Sequence, residues 1–372
     1  MPKVVLSHKQ FVFMLYVYLI GASMLFVPEA IFAGKDAWIS VLIAPLISML
    51  LLAIWLHLQR KHPGMSLIQY GIKILGPWIG YPIGLYLVYV MFLINLLIIE
   101  DLVIVTSIVI LPQTPSDVIR LTFVFVAIYG CYKGVESIAR MCELAFIPLT
   151  LLVVALPILE YQELGLAALQ PFSIINWHGV VVGTINSLVF PFAEVFIPAM
   201  LLPFVSIDTR SERYYFFAIG GAGIALLLRT LVALMVLGPE LLSMFTLPIM
   251  TVFRVVDLGD FFNRVEGLFL GIWYVGLLLK FVITLYAMTL GLAQLTGVKR
   301  LENLWLSVGA LVLIVSALRF PNEQEFGFMS FFILPFIAVP VEIIYPLALL
   351  LVDWLQERLK PVSVDHLNQR HD

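Results

Sequence analysis

Six charged side chains fall inside stretches otherwise too apolar to hold them: Glu100, Asp101, Glu194, Arg229, Lys280 and Glu342. At the centre of a membrane helix such a charge costs about 2.5–3.5 kcal/mol unless it is paired or wetted, so these residues mark ion pairs, ligand pockets or proton paths. Lys280 is the most isolated, with the uncharged runs 267–279 and 281–298 on its two sides, and its ammonium has no route to water by snorkelling. It either serves a pocket, as an ammonium standing in for a bound cation or as a group whose proton loss couples the site to pH, or forms a permanent ion pair with Glu194 or Glu100. Thr284 follows one turn later and adds a hydroxyl to the same face. Glu194 reads as a ligand or proton site, or as a cap for backbone N–H groups of its own half-helix. Arg229 and Glu342 lie nearer span ends, where they are expected to snorkel or to pair.

Other chemistries find no support in the sequence. The six histidines, His8, His57, His62, His178, His366 and His371, all fall near ends of apolar runs or near the termini, with no His-x-x-x-His pair inside a span, so no metal site is expected. No nucleophile elbow, phosphate loop or dinucleotide fingerprint is present, and neither an enzyme nor a cofactor is expected. With 21 basic against 24 acidic residues there is no cationic surplus for nucleic acid. Cys131 and Cys142 flank a short basic loop and read as packing residues.

The elements that must position these residues are membrane helices. Of 372 residues, 62% are hydrophobic and 12% charged, against about 45–50% and about 25% in a soluble domain. With spans of about 20 apolar residues required, the chain divides into ten: 9–33, 37–59, 78–110, 117–133, 142–160, 178–203, 213–238, 265–294, 301–319 and 328–355. The first is read as a retained helix rather than a signal peptide, because its uncharged run 11–28 is long and is followed at once by Glu29, where a small-residue cleavage site belongs. A short surface helix capped by Ser66 is expected between spans two and three. Residues 241–266, interrupted by Pro248, Arg254, Asp257, Asp260 and Arg264, read either as an interfacial or re-entrant segment or as a surface loop. Fourteen basic residues flank one face of the array and five the other, which by the positive-inside rule puts both termini, and a tail at 356–372, in the cytoplasm.

Two spans carry backbone disruption at their middles: Gly21-Ala22-Ser23 in the first, and Phe190-Pro191-Phe192-Ala193-Glu194 in the sixth. These are the first helices of two five-helix halves, 9–160 and 178–355. Irregular backbone at membrane depth survives only where it lines a cavity, and paired breaks of this kind point to an all-α, inverted 5+5 repeat fold with a ligand at the midplane. Half-helix N-termini suit a carboxylate, which makes an amino acid the natural ligand. Val90 and Ile94, one turn apart, supply an apolar wall from span three.

The chain resembles the B-subunit family of spore germinant receptors, which are similar to amino acid–polyamine–organocation transporters of LeuT-like fold. The likeness rests on Ile20 to Pro28, Asp36 to Ile39, Lys61-His62 with Ser66 and Tyr70, Trp78-Ile79-Gly80, Ser137 to Arg140, Asn186-Ser187-Leu188, Glu194 with Pro203, and Arg264-Val265-Glu266 before Trp273. It implies a nutrient sensor of the spore inner membrane that works with an A subunit and a lipoprotein C subunit and holds an L-amino acid in a transporter-like pocket. That pocket would fall on Gly21, Ala22, Ser23, Val90, Ile94, Pro191, Phe192, Lys280 and Thr284, with Glu194 beside it. Two departures stand out: Ser23 occupies a place where relatives often have glycine, and Lys280 one where they often have an uncharged polar residue. A proton-coupled amino acid transporter is the alternative reading.

Overall fold

The computed structural model describes residues 6–171, 174–206, 211–242, 244–245, 247–255, 265–320 and 322–359. Among them the regular structure is helical, and eight helices are long and apolar enough to cross a membrane. The ten-span division exceeds this number for two local reasons. The break in the first span leaves α1 (His8–Gly21) with 14 residues and α2 (Pro28–Ala33) with 6, and α2 runs through a tight turn into α3 (Ala37–Lys61). The fourth span, weakened by Arg120, becomes α6 (Ser116–Tyr132) with 17 residues.

Local chemistry sets the ends of these elements. Ser7 and Gln10 form a reciprocal capping box at the start of α1, each side chain accepting the other's backbone N–H. The same device, Ser66 with Gln69, opens the surface helix α4 (Leu67–Leu75), as expected. α5 (Pro77–Val105) starts on a proline that needs no N–H partner, and α7 (Val135–Leu159) follows a positive-φ turn at Gly134. The second half repeats the pattern of a broken first member: α8 (Trp177–Ser187) gives way to an extended Phe190 and then the short α9 (Phe196–Ala199). Next come α10 (Arg213–Leu242), kinked at Gly238-Pro239, and α11 (Pro248–Val255). α11 covers the first part of the 241–266 segment. Asp257, Asp260 and Arg264 lie outside the described residues, as do Lys3, Arg210, Lys360, His366, Arg370 and His371.

α12 (Val265–Thr296) is the axis of the bundle, packed against α1, α5, α6 and α7. It passes α1 at the break, where the α-carbon of Gly21 lies against the Gly276 backbone; a Cβ on Gly21 would stand 2.4 Å from the Gly276 oxygen. α13 (Trp305–Arg319) lies against α6, and the last crossing, α14 (Glu323–Phe328), α15 (Leu334–Val339) and α16 (Tyr345–Leu359), is joined by two wide turns. Leu50, Leu318 and Phe336 are more than half exposed on the outside of the bundle, where lipid tails solvate them.

The end where α1 begins and α16 finishes is closed. Leu6 pairs with the chain after α9, its N–H donating to the Phe204 oxygen at 3.0 Å, and ion pairs Arg60–Glu212 and Lys61–Asp353, each at 2.7 Å, lace the helix ends there.

Candidate functional site

Each helix break is held by a buried cation from another helix. At the first break the freed carbonyls of Ser23 and Phe26 both accept from the guanidinium of Arg229 on α10, which also pairs with the Glu29 carboxylate and donates to Thr230 at 2.8 Å. Thr230 in turn donates to Glu29 at 2.7 Å. Trp273 donates its indole N–H to the Ala22 oxygen at 3.3 Å, and Ser23 turns its hydroxyl back to the Leu19 oxygen at 3.1 Å. The backbone groups that a continuous helix would have satisfied are thus satisfied by side chains. Glu29 occupies the first turn of α2, where a negative charge suits the helix N-terminus.

At the second break the Lys280 ammonium stands 2.6 Å from the Glu194 carboxylate, with side chains 0% and 1% exposed. The ammonium also lies 4.4 Å from the centre of the Phe190 ring and 5.0 Å from that of Tyr18, in range of cation–π attraction. Tyr18 and Thr284 share a hydroxyl contact of 3.3 Å, Thr284 donates to the Lys280 oxygen at 2.8 Å, and Ser48 donates to the Phe192 oxygen at 2.6 Å. One buried cluster therefore joins α1, α3, α12 and the α8–α9 break.

The structure decides between alternatives the sequence left open and overturns other expectations. Lys280 pairs with Glu194, while Glu100 is taken by Arg120 at 2.8 Å. The carboxylate of Glu194 makes no hydrogen bond to the N–H groups of its own half-helix, because Lys280 draws it across the break. Arg229 pairs with Glu29 in the interior, 2% exposed, instead of reaching the interface. Glu342 neither snorkels nor pairs: it sits in the wide turn between α15 and α16, 0% exposed, with both carboxylate oxygens lacking a hydrogen-bond partner. The side chain beside the first break that resembles a bound cation is Arg229, not Lys280.

Gly21, Ala22, Ser23, Val90, Ile94, Pro191, Phe192, Glu194, Lys280 and Thr284 are all buried. The structure brings the two breaks together, with a crevice of about 10 Å³ lined by Ser23, Glu29, Phe190, Pro191, Phe192 and Arg229 among others. Larger spaces adjoin the breaks. A cavity of about 30 Å³ is lined by Leu97, Asp101, Asn186, Phe190, Phe326 and Ser330. A vestibule of about 370 Å³, which includes Ile31, Leu242, Phe245, Pro248 and Glu323, shares Phe26, Pro28, Phe326 and Phe331 with that cavity. Three contributors escaped the sequence reading: Glu29, which the span count put at a helix end; Tyr18, one apolar-seeming residue among many; and Phe190, known only as part of a break.

Comparison with known proteins settles the family. Residues 5–324 match the spore germination protein family. The chain belongs to it. Relatives include spore germination protein KB of Bacillus subtilis, 25% identical over 96% of this chain and 97% of that one, and spore germination protein YndE of the same organism, 24% identical over 92% and 94%. Spore germination protein XB of Bacillus anthracis is 20% identical over 88% of this chain and 91% of that one. Among solved structures, MhsT in complex with L-phenylalanine superposes with a TM-score of 0.62 at 16% identity, covering 95% of this chain and 99% of that one, which places the chain in the LeuT-like fold. It is a multi-pass membrane protein of a germination family rather than of a known enzyme class.

Proposed function

We propose that this chain is the nutrient-sensing subunit of a spore germinant receptor, and that the nutrient is an L-amino acid bound between the two helix breaks. The observation that carries this reading is the Lys280–Glu194 pair, buried at the second break in a chain of a spore germination family. An amino acid carboxylate reaching that place competes with Glu194 for the Lys280 ammonium, while Gly21, Ala22, Ser23, Pro191, Phe192 and Thr284 frame it and Val90 and Ile94 wall it. Exchange of one carboxylate for another keeps the cation paired and frees Glu194, so ligand and conformation are coupled through a single charge. The amino acid in the MhsT complex supports the ligand class. In this reading the protein sits in the spore inner membrane with cytoplasmic termini, its halves are 9–160 and 178–355, and an A subunit and a lipoprotein C subunit receive the signal.

Deleting the gene in its spore-forming host tests the reading. Spores should lose the response to one amino acid and keep their responses to nutrients sensed by other receptors, and the purified chain in liposomes should bind that amino acid without accumulating it. Undiminished germination on every nutrient would overturn the proposal, and gradient-driven uptake would establish the proton-coupled transporter instead.

A further inference from the structure

A cavity lined by Phe190 contains a carboxylate that makes no salt bridge with the Lys280–Glu194 pair. Asp101, on α5, lines it while only 5% exposed, and makes no hydrogen bond or ion pair among the described residues. The neighbouring acid, Glu100, is neutralised by Arg120, whereas Asp101 has no salt bridge among the described residues and shares the field of Lys280, whose own partner is Glu194. Ser330, from the opposite wall, contributes a buried hydroxyl that also lacks a partner, and Asn186 adds an amide. Among the described residues no lysine or arginine lines either this cavity or the adjoining vestibule, where the charged residue is Glu323. The remaining walls are apolar and largely aromatic: Phe26, Leu97, Val189, Phe190, Phe326 and Phe331.

From this geometry we infer that Asp101 is the anchor of a binding subsite for an organic ammonium group whose apolar body extends into the vestibule. The sizes match such a division. About 30 Å³ beside Asp101 holds an ammonium and little more, and about 370 Å³ across the shared Phe26–Phe326–Phe331 wall accommodates a side chain. An ammonium needs one carboxylate and a few acceptors, which Asp101, Ser330 and Asn186 offer. Aromatic faces attract the same charge. An alkali ion is served less well, because six or so oxygens are needed to replace its water and the walls offer few. The inference rests on the reading above and deepens it: the amino group of the germinant would sit on Asp101.

Binding of 2-phenylethylamine to the purified full-length chain in nanodiscs, measured by calorimetry in potassium and in choline buffers, tests it. This probe has an ammonium and an aromatic body but no carboxylate, so it does not report on Lys280. The amine should bind, 3-phenylpropionate should not, and Asp101→Asn should weaken the amine about tenfold or more, the worth of a charge-assisted hydrogen bond. Ser330→Leu, which fills the cavity from another helix, should abolish binding by a separate route if Asp101→Asn does not fold. Failure of the folded wild-type chain to bind the amine, or equal affinity in the Asp101→Asn variant, overturns the subsite. Loss of amine binding in potassium alone assigns the site to an alkali ion and overturns it too. If the amine binds through Asp101 but no L-amino acid binds, the subsite stands and the amino acid reading falls; if amino acids bind with Asp101→Asn unchanged, the converse holds.

Discussion

Replacing Arg229 with methionine should destabilise the protein more than any other single removal of a charge at the first break. The guanidinium holds four acceptors: the backbone oxygens of Ser23 and Phe26, the Glu29 carboxylate and the Thr230 hydroxyl. Stranding a buried carboxylate costs about 3–5 kcal/mol, and each orphaned carbonyl adds about 1–3 kcal/mol unless water replaces the donor. The space left by the guanidinium adjoins the crevice between the breaks and admits such water, so the terms do not sum. A loss of about 4–6 kcal/mol is expected. Glu29→Gln should cost about 2–3 kcal/mol, because the cation keeps both carbonyls and an amide oxygen. The double variant Arg229→Met/Glu29→Met should be less damaged than the sum by about 2 kcal/mol or more, since it leaves no unpaired charge. Unfolding in detergent followed by tryptophan fluorescence reads the cycle, and Trp273, bonded to Ala22 at the break, is a local reporter. If Arg229→Met lies within about 1 kcal/mol of wild type, or the double variant shows no coupling, the reasoning fails.

Three further outcomes are expected. Lys280→Ala and Glu194→Gln should each shift the germinant concentration that half-saturates the response, and each should cost stability on the scale of a broken buried pair, about 3–5 kcal/mol; an unchanged dose–response curve would return the pair to a purely structural role. Gly21→Ala should destabilise the α1–α12 crossing by about 1–3 kcal/mol through overpacking, because its Cβ meets the Gly276 backbone, whereas Gly271→Ala on the same helix as Gly276, with nothing within 4 Å, should be neutral or stabilising; equal melting shifts would contradict the packing. Glu160, just past α7, has its carboxyl pushed up by burial, and secondarily by Glu163, to about 7 from an ordinary 4.5. The folded protein keeps that proton where the unfolded chain releases it, so this group's stabilisation is complete below 4.5 and is lost as pH climbs towards 7. Melting curves should show that decline in wild type and not in Glu160→Gln; parallel profiles would remove Glu160 as its source.

What was legible in the sequence was the part written in local pattern. Apolar length located the spans, Ser66 announced the surface helix, and Gly21 to Ser23 and Phe190 to Glu194 showed where the backbone leaves helical geometry. Pairings between distant residues were not legible, because hydropathy assigns a charge to a depth but not to a partner. Arg229 meets Glu29 across 200 positions, and only the proline ahead of Glu29, at the first turn of a broken helix, hinted that this acid lies inside. Glu100 and Asp101 illustrate the same limit: adjacent in sequence, they diverge because helical geometry turns one to Arg120 and the other to the cavity.

The identity of the two cations bears on how a LeuT-like fold could serve as a sensor. An ion that couples transport to a gradient must leave its site with the cargo, and the charges holding these breaks are the side chains of Arg229 and Lys280, bound covalently to the chain. Neither can be carried across the membrane; only a proton could be exchanged there. A ligand, by contrast, can act on a tethered cation by replacing its carboxylate partner. Swinging a two-state equilibrium from about 1:99 to 99:1 takes about 5.5 kcal/mol of differential affinity, and a buried pair broken on one side is worth about 3–5 kcal/mol. Displacing Glu194 from Lys280 therefore acts on the scale that a conformational signal requires, in the one place where α1, α3, α12 and the second break meet.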